Sequence, residues 1–200
     1  PNVIFIASPN NPTGTMMSKD RLERVIQAAS DSLVVIDEAY VDYAERHHLD
    51  LLERYENVAI LRTLSKVGFA ALRVGWIVAS PALVNELDKA RLPYNLPTVS
   101  QSLATLVLNE MGDEIRSIRE LVVRERTRLT QALAPHPAVE VVPSQANFLW
   151  LKLQGSAGDT FTKLGKKGVL VRSFHGRGGR LEQCLRVTIG TPEQNDRFLE

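Results

Sequence analysis

The residues with the most chemical promise stand just after apolar runs. Lys66 closes Arg62-Thr63-Leu64-Ser65-Lys66, directly after Val58-Ala59-Ile60-Leu61. A lone lysine is most often a solvated surface residue. Here Thr63 and Ser65 set hydroxyls beside the amine, and Val67-Gly68 follow. Hydroxyls and loop N–H groups suit a phosphate. Arg73, a little further on, can add a two-pronged charge to that phosphate. An amine next to cationic groups and shielded from water acts as a nucleophile. The competing reading is a strand–loop–strand corner with a surface lysine. Asp37 follows Leu33-Val34-Val35-Ile36, so partial burial is expected. A buried carboxylate needs a partner. A pyridinium N–H would supply one, and the carboxylate would keep such a ring protonated as an electron sink. A cap or salt bridge at the strand end is the alternative. Tyr40 could donate to an oxygen on the same ring; alone it is more often packing.

The elements that must position these groups alternate between strand and helix. Val3-Ile4-Phe5-Ile6-Ala7 reads as a strand buried on both faces, ending at Ser8-Pro9-Asn10-Asn11-Pro12. A helix from about Lys19 to Ala29 follows, with Ser18 as its N-cap and Asp20 complementing its positive end. Further strands are expected at 33–36, 58–61 and 74–79. Ser80-Pro81 then opens a helix to about Leu92. Strands alternating with helices predict a mostly parallel α/β sheet. In such sheets ligands collect beyond the carboxyl ends of the strands, where Asn11, Asp37 and Lys66 all fall.

Pro93-Tyr94-Asn95-Leu96-Pro97 marks a joint. The expected division is 1–97 and 98–200. The second part reads as a smaller α+β unit. It has a long helical region from about Ser100 to Ala134, interrupted near Gly112-Asp113. Strands are expected over 139–142, 147–153, 169–172 and 184–189, with a helix near Thr160–Lys166. His175-Gly176-Arg177-Gly178-Gly179-Arg180 reads as a mobile basic loop. Trp76, Trp150 and Cys184 are expected in the core. Arg116–Arg128 reads as a solvated helix face. His47-His48 lie in a polar stretch without a carboxylate or cysteine cluster, which argues against a metal site.

Ser8-Pro9-Asn10-Asn11-Pro12-Thr13-Gly14, Val35-Ile36-Asp37-Glu38-Ala39-Tyr40, Thr63-Leu64-Ser65-Lys66 and Leu72-Arg73-Val74-Gly75 resemble the ordered motifs of fold-type I aminotransferases. Within them the chain is similar to the histidinol-phosphate aminotransferase group. Ser144-Gln145-Ala146-Asn147-Phe148 and Leu185-Arg186-Val187-Thr188-Ile189-Gly190-Thr191 fit the small-domain motifs of that group. The segment Val67–Leu72 is shorter than in many members, as in related subgroups.

The resemblance implies a pyridoxal 5'-phosphate enzyme, with residues 1–97 as the end of the cofactor-binding large domain and 98–200 as the small domain. Lys66 would hold the cofactor as a Schiff base and shuttle a proton. Asp37 would face the ring nitrogen, Asn11 and Tyr40 the ring oxygen, and Thr63, Ser65 and Arg73 the phosphate. Arg186 would clamp the substrate carboxylate, Asn147 would assist it, and Arg172 would face a distal anion. Arginine forks suit anionic substrates, and an unpaired guanidinium in an apolar strand is costly. A structural ion pair with a glutamate is the alternative for each. The implied reaction moves an amino group between histidinol phosphate and 2-oxoglutarate, in a cytoplasmic homodimer. Sister activities on the same scaffold are aromatic amino acid transamination and threonine-phosphate decarboxylation. A non-catalytic module of aminotransferase shape is the reading from another class.

Composition bounds these readings. The 200 residues carry 24 Lys and Arg against 23 Asp and Glu, a net charge of +1. That balance gives no electrostatic case for nucleic acid or a membrane surface. A single cysteine allows no internal disulfide and suits a reducing compartment. No apolar stretch is long enough to span a bilayer. The chain opens almost directly on a strand and closes part-way into a helical pattern, so a piece of a longer protein is expected.

Overall fold

The computed structural model describes residues 2–200. The chain forms two compact units. The first runs up to Pro9 and then over Met16–Ile118; the second takes Asn10–Thr15 and Arg119–Glu200.

The first unit is an α/β sheet of β1 (Val3–Ala7), β2 (Leu33–Asp37), β3 (Val58–Thr63) and β4 (Gly75–Val78), in that spatial order. β1, β2 and β3 are parallel, whereas β4 returns antiparallel to β3. A short return from β3 leaves no room for a crossover helix, so the last pair is a hairpin-like corner. Helix α1 (Lys19–Ala28) links β1 to β2 and buries Leu22 and Ile26, one turn apart. They pack with Val34, Ile36, Leu51, Val58 and Ile60. Ser18 holds the N-cap position, but its side chain makes no cap bond. Helices α2 (Pro81–Ala90) and α3 (Thr98–Glu110) complete this unit, and Ser80 caps α2 through Leu83 N.

The period of two corrects two expectations. Ile4 and Ile6 pack on the α1 side, while Val3 and Phe5 point the other way and are 45% and 71% exposed. β1 is therefore buried on one face only. Trp76, on the outer strand β4, is 38% exposed and is not a core residue.

Helix α4 (Gly112–Leu133) leads into the second unit. Its antiparallel sheet has the order β5 (Val139–Val142), β6 (Phe148–Leu153), β8 (Cys184–Thr188) and β7 (Arg172–Ser173). Leu129 of α4 packs with Leu149, Leu151, Val187 and Ile189, supported by Phe198 of α6 (Pro192–Leu199). α5 (Ala157–Lys166) precedes β7. Trp150 is buried and meets Phe174 edge to face at 4.7 Å. Cys184 is buried too, and burial raises its thiol pKa. The expected strand at 169–172 shrinks to Arg172–Ser173, because only these residues pair with β8. The α4 face is not wholly solvated: Glu125 and Arg126 are buried, Glu125 accepting from Arg128 and Asn195, and Arg126 donating to Ala146 O.

Gly75 shows what the β3–β4 corner demands. A Cβ there would lie 2.9 Å from the Arg62 carbonyl oxygen, a backbone atom that cannot swing away. Gly75→Ala is expected to destabilise the chain by about 1–3 kcal/mol. Gly165→Ala, in α5 with open space around it, is expected to be neutral or stabilising by up to about 1 kcal/mol. Denaturant midpoints of the two variants check the contrast.

Candidate functional site

The carboxyl ends of β2 and β3 carry the first group of candidate residues. The strands are paired through Asp37 opposite Leu61, and Glu38 N continues the ladder to Leu61 O at 2.9 Å. Asp37 is half-buried, and its Oδ1 accepts from Ala39 N at 3.0 Å. This turn bends the chain so that Tyr40 precedes a short 3-10 turn over Val41–Tyr43. The Tyr43 hydroxyl donates to the Lys66 carbonyl at 2.5 Å.

Lys66 ends a second 3-10 turn, Leu64–Lys66, which begins where β3 stops. Thr63 organises it. Its hydroxyl donates to Val74 O at 2.9 Å and accepts from Ser65 N at 3.0 Å. That hydroxyl's proton is committed, so towards a ligand Thr63 retains only acceptor capacity. The Lys66 Nζ lies 5.3 Å from the centroid of the Tyr40 ring, within cation–π range. Among the described residues no carboxylate forms a salt bridge with it. Arg73 is exposed and left-handed, with φ 59°. A non-glycine residue there is uncommon and is found more often at functional sites.

Glu38 is the functional-site neighbour that the motif reading passed over. It is 1% exposed, as is His48. Its Oε2 accepts from Arg62 Nε at 2.9 Å and Nη2 at 2.7 Å. Its Oε1 accepts from His48 N at 2.7 Å and meets His48 Nδ1 at 3.0 Å. Burial alone would raise the Glu38 pKa, but the hydrogen bonds from His48 and Arg62 and the Arg62 charge outweigh it and hold the carboxyl below its ordinary value. His48 is thus a buried partner, not part of a polar surface. The available signal was the spacing of a glutamate directly after an apolar strand with an arginine near the end of the next.

The second unit carries the remaining candidates. Arg186 lies in β8, with Arg172 of β7 and Trp150 of β6 as its cross-strand partners. Like charges directly opposite each other are unfavourable unless something anionic sits with them. Neither arginine forms a salt bridge with a carboxylate among the described residues, so the structural ion pairs do not form. Arg186 Nη1 donates to Asn11 Oδ1 at 2.8 Å, its guanidinium carbon stands 5.1 Å from the Phe148 ring centroid, and its buried Nε has no partner among the described residues. Arg172 is exposed. Asn11 thus groups with Arg186, in a segment fastened by Gln145 N donating to Gly14 O. Asn147 is half-buried, and its carbonyl accepts from Ile189 N. The basic loop after β7 is bound down: Glu182 accepts from Gly176 N and Gly178 N and pairs with His175 Nδ1 at 2.8 Å. No group of three metal-binding side chains occurs among the described residues, nor any helix long and apolar enough to cross a membrane.

Comparison with known proteins adds the following. Residues 1–200 match the family described as aminotransferase class I and II. Histidinol-phosphate aminotransferase 2 of Nitrosococcus oceani is 41% identical over 201 residues, covering 100% of this chain and 55% of that one. The chain therefore spans about half the length of the curated relatives it matches. Among solved structures, histidinol-phosphate aminotransferase from Sinorhizobium meliloti in complex with pyridoxal-5'-phosphate superposes with a TM-score of 0.85 at 24% identity, covering 99% of this chain and 55% of the other. L-threonine-O-3-phosphate decarboxylase from Porphyromonas gingivalis gives 0.84 at 24% identity, covering 99% and 62%. Both likenesses speak for the fold.

The Glu38 environment sets a pH dependence. Its folded pKa lies below the ordinary 4.5, so between those values the unfolded chain binds a proton that the folded chain does not. Stability from Glu38 is full above that window and is lost as pH falls through it. Glu38→Gln is expected to be roughly 2 kcal/mol less stable than the parent at neutral pH. The gap should narrow below pH 4.5. Denaturant melts across the acid range check this.

Proposed function

The chain belongs to the class I and II aminotransferase family, and on that premise we propose that it is the lysine-bearing part of a pyridoxal 5'-phosphate-dependent aminotransferase. The substrates proposed are histidinol phosphate and 2-oxoglutarate. The observation that carries the reading is Lys66 itself: an amine on a tightly bonded turn, facing an aromatic ring and engaged by no carboxylate among the described residues. A structural lysine at such a place would be expected to hold an ion pair.

The surrounding donor set fits the cofactor in kind. The Asp37 carboxylate has an oxygen beyond the one used by Ala39 N and can accept from a protonated ring nitrogen. Tyr40 can donate to a ring oxygen. The Ser65 hydroxyl and the Arg73 guanidinium, the latter donating to Ala70 O at 3.4 Å, suit a phosphate. Bound pyridoxal phosphate would supply an aldehyde carbon for amines and a protonated ring that takes up the electron pair of a broken carbon–hydrogen bond. Lys66 would hold that group through its Nζ and, as a free amine, would take and return a proton. Asp37 would keep the proton on the ring nitrogen throughout. Arg186, bonded to Asn11 in the second unit, would bind a carboxylate or phosphate with help from Asn147, and Arg172 a second anionic group.

On the same reading, residues 1–97 end the large domain and 98–200 form the small one. A homodimer is part of the proposal; exposed apolar side chains such as Leu92, Tyr94, Val99 and Leu108 suit a second copy. The buried, free Cys184 suits a cytoplasmic setting. The likeness to the Porphyromonas decarboxylase keeps threonine-phosphate decarboxylation as the second reading.

The full-length protein, offered histidinol phosphate, phenylalanine and threonine phosphate, should form glutamate from 2-oxoglutarate fastest with histidinol phosphate. A strong preference for phenylalanine, or carbon dioxide release from threonine phosphate, would sink the substrate assignment. Arg186→Lys should raise KM for the acidic substrates about 10- to 100-fold, because a point charge replaces a fork. Steady-state kinetics with each substrate varied checks this.

A further inference from the structure

Glu38 takes no part in the chemistry above, yet it is the most buried carboxylate among the described residues. Its contacts lead to Lys66 by two routes. One is direct along the sheet: Glu38 N donates to Leu61 O, and Arg62 returns its guanidinium to the Glu38 carboxylate. Arg62 is followed by Thr63, whose hydroxyl organises the turn that ends in Lys66. The other runs through the loop after β2. His48 N and Nδ1 both engage Glu38 Oε1, closing the segment from Glu38 to His48 on itself. Within that closed segment Tyr43 donates to the Lys66 carbonyl at 2.5 Å.

We infer that Glu38 is a positioning residue: through Arg62 on β3, and through the loop that His48 closes and Tyr43 tethers, its carboxylate fixes the backbone of Lys66 beside Tyr40 and the end of β2. The charge matters as well as the shape. Both oxygens face donors, so a neutral amide in the same space would turn an N–H group towards another N–H group. The other ring nitrogen of His48 is buried without a partner among the described residues, and Glu38 engages the ring at its Nδ1 edge. The functional meaning of this arrangement rests on the reading of Lys66 as the reactive amine; the mechanical part does not.

The test is amide hydrogen exchange in the full-length protein without added cofactor, comparing the parent, Glu38→Gln and Ile26→Val. Ile26 is a core residue of α1 and controls for general loss of stability. Glu38→Gln should speed exchange in the peptide covering Leu64–Val67 by about tenfold, leaving Val34–Ile36 protected, whereas Ile26→Val should show no such local effect. Unchanged exchange at Leu64–Val67 in Glu38→Gln overturns the inference, whatever the cofactor does. If Glu38→Gln does not fold, Arg62→Lys is read in the same way. In the cofactor-loaded protein, Glu38→Gln should lower the visible circular dichroism of the bound cofactor by more than about half. Local loosening without any visible band in the loaded parent overturns the pyridoxal reading and leaves the positioning role standing.

Discussion

A carboxylate removed from water stays charged only if its neighbours replace the lost hydration, a cost of several kcal/mol. Glu38 meets that condition with the Arg62 guanidinium on one oxygen and His48 on the other. Much of the first unit's candidate site hangs on this clasp. The β2–β3 main-chain ladder ends with Asp37 opposite Leu61 and Glu38 N donating to Leu61 O. Beyond that point side chains must do the joining. Breaking one member would leave a buried charge exposed to nothing, so the arrangement has few intermediate states.

The second unit solves a different problem by geometry. An antiparallel sheet with β8 between β6 and β7 sets Arg172 and Arg186 at the same level of neighbouring strands. Two cations in register cost free energy in an empty sheet and lower it when an anion joins them. Asn11 and the Phe148 ring hold Arg186 in place from two directions, and the Glu182 contacts tie down the loop between β7 and β8. The first unit thus presents an amine and a carboxylate, the second paired guanidinia.

Much of this was legible in the sequence, for physical reasons. β2 and β3 read as unbroken apolar runs because both their faces are covered: Val34, Ile36, Val58 and Ile60 pack with α1, and Val35 and Ala59 are buried on the other face. The pairing of Arg172 with Arg186 could not be read from spacing, since it depends on a two-residue strand that composition does not mark. β1 misled for the opposite reason: a continuous apolar run implies two buried faces, but Phe5 and Val3 face outwards here. The clasp was hidden because Glu38, His48 and Arg62 look like ordinary polar residues until tertiary contacts bring them together.

The central claim is that Lys66 is the amine that holds the cofactor. The most direct test loads the full-length protein with pyridoxal phosphate, reduces it with borohydride to make any lysine–cofactor linkage permanent, and maps the modified peptide by mass spectrometry. The expected result is a single labelled site at Lys66, and no label in Lys66→Ala. Label on another lysine, such as Lys19 or Lys152, or label that survives in Lys66→Ala, would contradict the account.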